Sequence, residues 1–168
     1  MLDLKNVPKE LQSAIDEKGY EKLTSVQSLV LDPSNSGKDL LVSSQTGSGK
    51  TLAYGLSISC DGLKEIIDED NKLKTLIITP TRELALQVFN ELAWLFSKTS
   101  IIISTAIGGM DIKKERNNIR NGVDLLIGTP GRINDHIRRK TFDLNNIKSL
   151  VLDAVSYTHL TLPTIVGV

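Results

Sequence analysis

A chain of 168 residues, 40% apolar and 24% charged, has the size and composition of one globular domain and not of a disordered segment. Twenty basic and twenty acidic side chains leave a net charge of zero, so no global basic field announces a nucleic-acid partner; any such binding must come from local geometry. The single cysteine, Cys60, excludes an intramolecular disulfide and reads as a small core hydrophobe, and the absence of a membrane-length apolar run or a signal-peptide pattern predicts a cytoplasmic protein.

The first predicted element is a helix over residues 8–18, with Pro8 in the first turn, an apolar stripe of Leu11, Ala14 and Ile15, and Gly19 at the cap. Residues 32–37 form a turn-rich loop, 39–42 an apolar strand, and 52–58 a helix. The acidic cluster at 68–70 is a solvated connection. Further apolar, β-branched runs at 76–78, 101–103, 125–127 and 150–152 do not alternate with polar residues, as expected of parallel strands covered on both faces. Helices fill the gaps: residues 82–96, with Ala85, Val88, Phe89, Leu92 and Phe96 on one face, then the polar segments 111–120 and 132–139. The alternation predicts an α/β domain, a mostly parallel, doubly wound sheet with helices on both faces, whose ligands gather beyond the carboxyl ends of the strands. No internal repeat interrupts it.

The run Ser43-Ser44-Gln45-Thr46-Gly47-Ser48-Gly49-Lys50-Thr51 lies between the first strand and its helix. It is a complete Walker A phosphate loop in the strand–loop–helix context that motif needs. Gly47 and Gly49 free the backbone to turn successive N–H groups toward phosphate oxygens. Lys50 can reach the β and γ phosphates, and the Thr51 hydroxyl can ligate Mg²⁺. The expected ligand is ATP or ADP with Mg²⁺.

Four more segments carry chemistry. Residues 19–27 read Gly-Tyr-Glu-Lys-Leu-Thr-Ser-Val-Gln, ending in Gln27, whose amide can donate and accept at once and so matches the N6 and N7 edge of adenine. Pro80-Thr81-Arg82-Glu83-Leu84-Ala85 opens a helix, with Thr81 as cap and Glu83 favourable in the first turn, and presents free N–H groups to a phosphate. Gly108-Gly109 permits close backbone approach. Thr129-Pro130-Gly131-Arg132 offers a hydroxyl, bare backbone and a guanidinium, which suit phosphate and ribose contacts without sequence information.

In this order, these segments and the phosphate loop resemble the first RecA-like domain of DEAD-box RNA helicases, over about residues 2–153. The resemblance implies a RecA-like P-loop NTPase fold that binds ATP, Mg²⁺ and the RNA backbone. It further implies that Tyr20 and Gln27 serve adenine, and Gln45, Thr46, Gly47, Ser48, Gly49, Lys50 and Thr51 the phosphates. Thr51 and Asp153 would hold Mg²⁺, with Lys50 and Asp153 catalytic, while Pro80, Thr81, Arg82, Gly108, Gly109, Thr129, Pro130, Gly131 and Arg132 would face RNA. Residues 1–30 would be the Q-motif region and 31–153 the ATP-binding domain. The resemblance also implies that the parent protein carries a second RecA-like domain, which would supply arginine fingers and half the RNA groove.

The sequence departs from the pattern in several places. Leu2 or Leu4 stands where the family has an aromatic residue near the adenine, and Leu23 and Ser25 stand where prolines are common. After Asp153 the family continues Glu-Ala-Asp; here the chain reads Ala154-Val155-Ser156. Residues 155–164 can be back-translated as a common transposase-type sequencing adapter, which predicts that 154–168 is a non-native tail. Two alternatives stand beside an RNA helicase half: another P-loop helicase or translocase domain, and a module that binds nucleotide without turnover, the latter preferred for the chain as written.

Overall fold

The structure, a computed structural model, describes residues 4, 6–45, 47–66 and 72–153, without the side chains of 61–66. Thr46, the acidic cluster at 68–70, Leu2 and the predicted tail at 154–168 lie outside the described residues. Ten elements follow one another: α1 (Lys9–Glu17), α2 (Ser25–Val30), α3 (Lys50–Ile66), β1 (Thr75–Ile78), α4 (Arg82–Leu95), β2 (Ile103–Ala106), α5 (Ile112–Arg120), β3 (Leu125–Gly128), α6 (Pro130–Arg138) and β4 (Ser149–Leu152). Two short 3₁₀ turns, Pro33–Asn35 and Leu144–Asn146, complete them.

The four strands form one parallel sheet in the order β2-β3-β1-β4. Side chains of a strand alternate between faces, and here the alternation separates two cores. Ile77, Leu125 and Ile127 join Leu52, Leu56, Val88 and Leu92 of α3 and α4, while Leu76 and Leu126 join Ile119 of α5 and Ile133 of α6. Each such side chain removed from water contributes about 1.5–3 kcal/mol. The central strands β1 and β3 are therefore apolar on both faces, as the unbroken runs predicted. At the edges the pattern relaxes: β2 carries Ser104 and Thr105 and is only partly buried, and β4 leaves Leu150 and Leu152 exposed.

Two predicted strands need correction. Residues 101–103 begin the third expected strand, but the ladder runs Ile103–Ala106. Ile102 is half exposed, and its N–H is taken by the Asp124 carboxylate at 2.7 Å, so the strand starts two residues later than expected. Residues 39–42 form no strand, and Leu41 is 89% exposed. An extended segment becomes a strand only against a hydrogen-bonding neighbour, and among the described residues β4 pairs on one side only, with β1. The predicted helices fall within a residue or two of expectation, apart from α3, which starts at Lys50 and runs to Ile66; α2 was not predicted.

Candidate functional site

Four of the segments singled out lie at the carboxyl edge of the sheet, and strand order sets their sequence in space. The Gly108-Gly109 loop follows β2, Thr129–Arg132 follows β3, Pro80–Arg82 follows β1, and Asp153 follows β4. Three loops suited to backbone contacts thus occupy adjacent strands, and the acidic residue lies at the far end.

The phosphate loop is held by the segment before it. Thr24 and Gln27 form a reciprocal capping box at the start of α2: the Thr24 hydroxyl accepts from Gln27 N–H, and Gln27 Oε1 accepts from Thr24 N–H at 2.9 Å. Both side chains also reach the loop. Thr24 Oγ1 donates to the Ser48 carbonyl at 2.9 Å, and Gln27 Nε2 donates to the Gly49 carbonyl at 3.2 Å. Gln27, predicted to read adenine, is 1% exposed and has both ends of its amide engaged within the protein. Gly47 and Gly49 take positive φ angles of 78° and 80°, the conformation their lack of a Cβ permits. Lys50 turns back, donating to the carbonyls of Ser44 and Gln45 at 2.8 and 2.9 Å. A phosphate that engages this ammonium competes with those two carbonyls. Tyr20 lays its ring on Trp94, centroids 6.1 Å apart and planes 20° from parallel, with Lys18 Nζ 5.4 Å from the Trp94 centroid. Tyr20 also lines an open cleft of about 390 Å³ with Lys18, Gly19, Glu21 and Lys22.

Helix α3 links the loop to Asp153. Tyr54, one turn after Thr51, donates to Asp153 Oδ2 at 3.0 Å. Burial, reinforced by the Asp153 charge, pushes the Tyr54 phenol above its ordinary range, so it remains a donor. Glu91, arriving from α4, accepts from the Thr51 hydroxyl and Leu52 N–H; burial raises its carboxyl pKa, and the Asp153 charge adds to that. The Thr51 hydroxyl and two carboxylates are hard oxygen donors. These oxygens would hold Mg²⁺, and Mg²⁺ bound there would neutralise charge on the phosphates. Among the described residues no three His, Cys, Asp or Glu side chains form a protein-only metal cage.

On the other half of the edge, two arginines from different motifs grip one glycine loop. Arg82 Nη1 donates to the Gly108 carbonyl at 3.3 Å, and a Cβ on Gly109 would lie 2.6 Å from that nitrogen. Arg132 Nε donates to the Ile107 carbonyl at 3.1 Å, and its Nη2 donates to the Met110 carbonyl. Thr81 caps α4 by accepting from Leu84 N–H at 3.3 Å, whereas Thr129 precedes α6 without a side-chain capping bond and Pro130 occupies the first turn. The arrangement sets Arg82 on Gly108 and Gly109, while Arg132 holds the residues on either side of them, Ile107 and Met110.

Tyr54, Glu91, Trp94, Glu115 and His136 were not singled out by sequence. For Tyr54 a signal existed, since it lies three residues beyond Thr51 on one helix; His136 similarly lies four beyond Arg132. Glu91, Trp94 and Glu115 reach their partners only through packing between elements.

A parallel α/β sheet with a Walker A loop and an acidic residue at its carboxyl edge defines a P-loop nucleotide-binding domain. The DEAD/DEAH box helicase family model matches residues 24–157, and the chain belongs to that family. It is 39% identical over 143 residues to the ATP-dependent RNA helicase CshA of Limosilactobacillus reuteri, covering 85% of this chain and 28% of that protein. It is 38% identical over 148 residues to the ATP-dependent RNA helicase RhlB of Vibrio campbellii, covering 86% of this chain and 34% of that one. A crystal structure described as a hypothetical ATP-dependent RNA helicase from Sulfolobus tokodaii superposes with a TM-score of 0.74 at 30% identity, over 86% of this chain and 40% of that chain. The chain therefore spans about a quarter to a third of these curated relatives. No helix among the described residues is long and apolar enough to cross a membrane.

Proposed function

We propose that this chain is the ATP- and RNA-binding half of an ATP-dependent RNA helicase, whose parent binds RNA backbone and nucleotide jointly and resets on hydrolysis. The observation that carries the reading is the division of one sheet edge. The phosphate loop, Thr51, Tyr54 and Asp153 cluster beside β4, while loops with bare backbone and arginines line β2, β3 and β1. Lys50 and Thr51 take the phosphates and Mg²⁺, Gln27 and Tyr20 the adenine side, and the segments at 80–82, 108–109 and 129–132 the RNA. Contacts to phosphate and ribose are insensitive to base identity and weaken as salt rises.

Calorimetric titration with Mg-ADP tests the nucleotide half. The expected result is weak but measurable binding that Lys50→Ala abolishes; unchanged affinity in that variant would move the site elsewhere. A single-stranded RNA titration at two salt concentrations tests the other half. A salt-insensitive complex with one particular sequence would overturn it. For the chain as written, Ala154 and Ser156 favour binding without turnover, because the resemblance places a water-activating Glu and a second Asp there.

A further inference from the structure

Beneath the glycine loop lies a buried polar cluster that nucleotide chemistry does not use. Glu115 on α5 is 7% exposed and His136 on α6 is fully buried. Glu115 Oε1 accepts from Ile107 N–H at 3.2 Å. Oε2 lies 2.9 Å from His136 Nε2 and 3.3 Å from Arg132 Nε. His136 Nδ1 is 3.2 Å from Thr141 Oγ1. The Nε2–H donates to Glu115, and Nδ1 shares a hydrogen bond with the Thr141 hydroxyl.

We propose that Glu115 and His136 are positioning residues that lock the Gly108-Gly109 loop to the Thr129–Arg132 segment, so that both present one rigid surface to the RNA backbone. The proposal rests on the RNA-facing reading given above. Three features carry it. The Glu115 carboxylate binds the N–H of Ile107 while Arg132, its ion-pair partner, binds the C=O of the same residue, so the peptide units entering the loop are held on both sides. Arg132 also takes the Met110 carbonyl, which fixes the loop's exit. Finally, a buried carboxylate is costly unless its partners are all in place, and an apolar pair would fill this space at less cost. The polar cluster lies directly under a loop that must hold a positive-φ glycine, Gly109 at 84°. On this reading the Arg132 side chain, 11% exposed, shapes the loop, and RNA meets the backbone it arranges.

The test uses the whole chain, isotope-labelled, with amide NMR, a short single-stranded oligouridylate and Mg-ADP as probes. In Glu115→Ala the amide resonances of Ile107, Gly108 and Gly109 move and RNA affinity falls about tenfold. Mg-ADP affinity stays within about twofold, because that site shares no partner with Glu115. Glu115→Gln retains an oxygen for Ile107 N–H but turns its amide NH2 toward His136 and Arg132, so the loop resonances and the RNA affinity recover only in part. His136→Phe keeps the ring volume, releases Oε2, and reproduces the loss in weaker form; it decides the matter if Glu115→Ala does not fold. RNA affinity that is unchanged while the loop resonances move would overturn the proposal, as would a Glu115→Gln protein that recovers neither. If RNA shifts no resonance at 108–109 or 129–132 in the unmodified chain, the RNA-facing reading fails by itself. The loop resonances still decide the positioning role, since unmoved resonances in Glu115→Ala refute it.

Discussion

Gln27 and Gly49 touch: the Gln27 amide donates to the Gly49 carbonyl at 3.2 Å, and a Cβ built on Gly49 would lie 2.4 Å from the donating nitrogen. The same carbonyl accepts the first helical bond of α3 from Ala53 N–H at 3.0 Å. One atom thus joins the capping box of α2, the end of the phosphate loop and the start of the next helix.

Gly49→Ala should damage that junction in two ways. Its φ of 80° disfavours any Cβ by about 1–2 kcal/mol, and the new methyl must displace a buried, doubly bonded amide. In a domain of this size that corresponds to a melting-temperature loss of at least about 2–4 °C per kcal/mol. Calorimetry should show Mg-ADP affinity reduced by more than about tenfold, since both the loop path and the N–H groups after it move. Wild-type affinity in this variant would mean that the loop conformation does not matter for binding.

Gln27→Glu isolates the donor. The carboxylate oxygen can still accept from Thr24 N–H, but nothing remains to donate to Gly49, and a negative charge faces its carbonyl in a position only 1% exposed. Loss of stability by about 1–3 kcal/mol is expected in urea denaturation, with weaker Mg-ADP binding. Thr24→Val, which removes the hydroxyl that caps α2 and holds Ser48, should cost about 1 kcal/mol. The two effects should be non-additive in the double variant, because both side chains secure one loop.

Asp124 supplies a pH-dependent term. Partial burial raises its carboxyl pKa above the ordinary 3.8, against the opposing hydrogen bond from Ile102 N–H and the charge of Lys74. The folded protein therefore holds this proton more tightly than the unfolded chain does. The associated stability is fully present below about pH 3.8 and is lost as pH rises through the folded value. Asp124→Asn keeps an acceptor for Ile102 and removes the titration. Thermal melts from pH 3 to 7 should show wild type losing ground to the variant as pH rises, with most of the change above about pH 4. A difference that grows in the opposite direction would refute the assignment.

The chain as written should show no RNA-stimulated phosphate release. Phosphoryl transfer depends on positioning and charge stabilisation, and an arginine finger alone is typically worth about 10³–10⁵ in rate. Ala154 and Ser156 occupy the places where the resemblance implies Glu and Asp. Ala154→Glu alone should not rescue turnover; the restored motif joined to a second RecA-like domain should. Stimulated turnover by the unmodified chain would contradict both the assignment of roles and the need for that domain.

The phosphate loop was legible because its chemistry is local: two glycines, a lysine and a threonine at fixed spacing need only a turn that leads into a helix. The central strands were legible for a similar reason, since Leu76–Ile77 and Leu125–Ile127 must be apolar on both faces wherever they lie in the sheet. Residues 39–42 carry the same apolar signal and still form no strand, because a strand is a relation between two segments and periodicity describes only one. Gln27 shows the other limit. Its amide suits adenine by chemistry alone, but only the packing of α2 on the phosphate loop decided that both ends of the amide are engaged by Thr24 and Gly49. Arg82 and Arg132, 50 positions apart in sequence, likewise meet on one glycine loop because β2, β3 and β1 are neighbours in the sheet. Composition, motif chemistry and apolar patterning are properties of short stretches, and the sequence by itself determined them. The tertiary structure alone decided which distant side chains share a hydrogen bond, because strand order and helix packing bring them within reach.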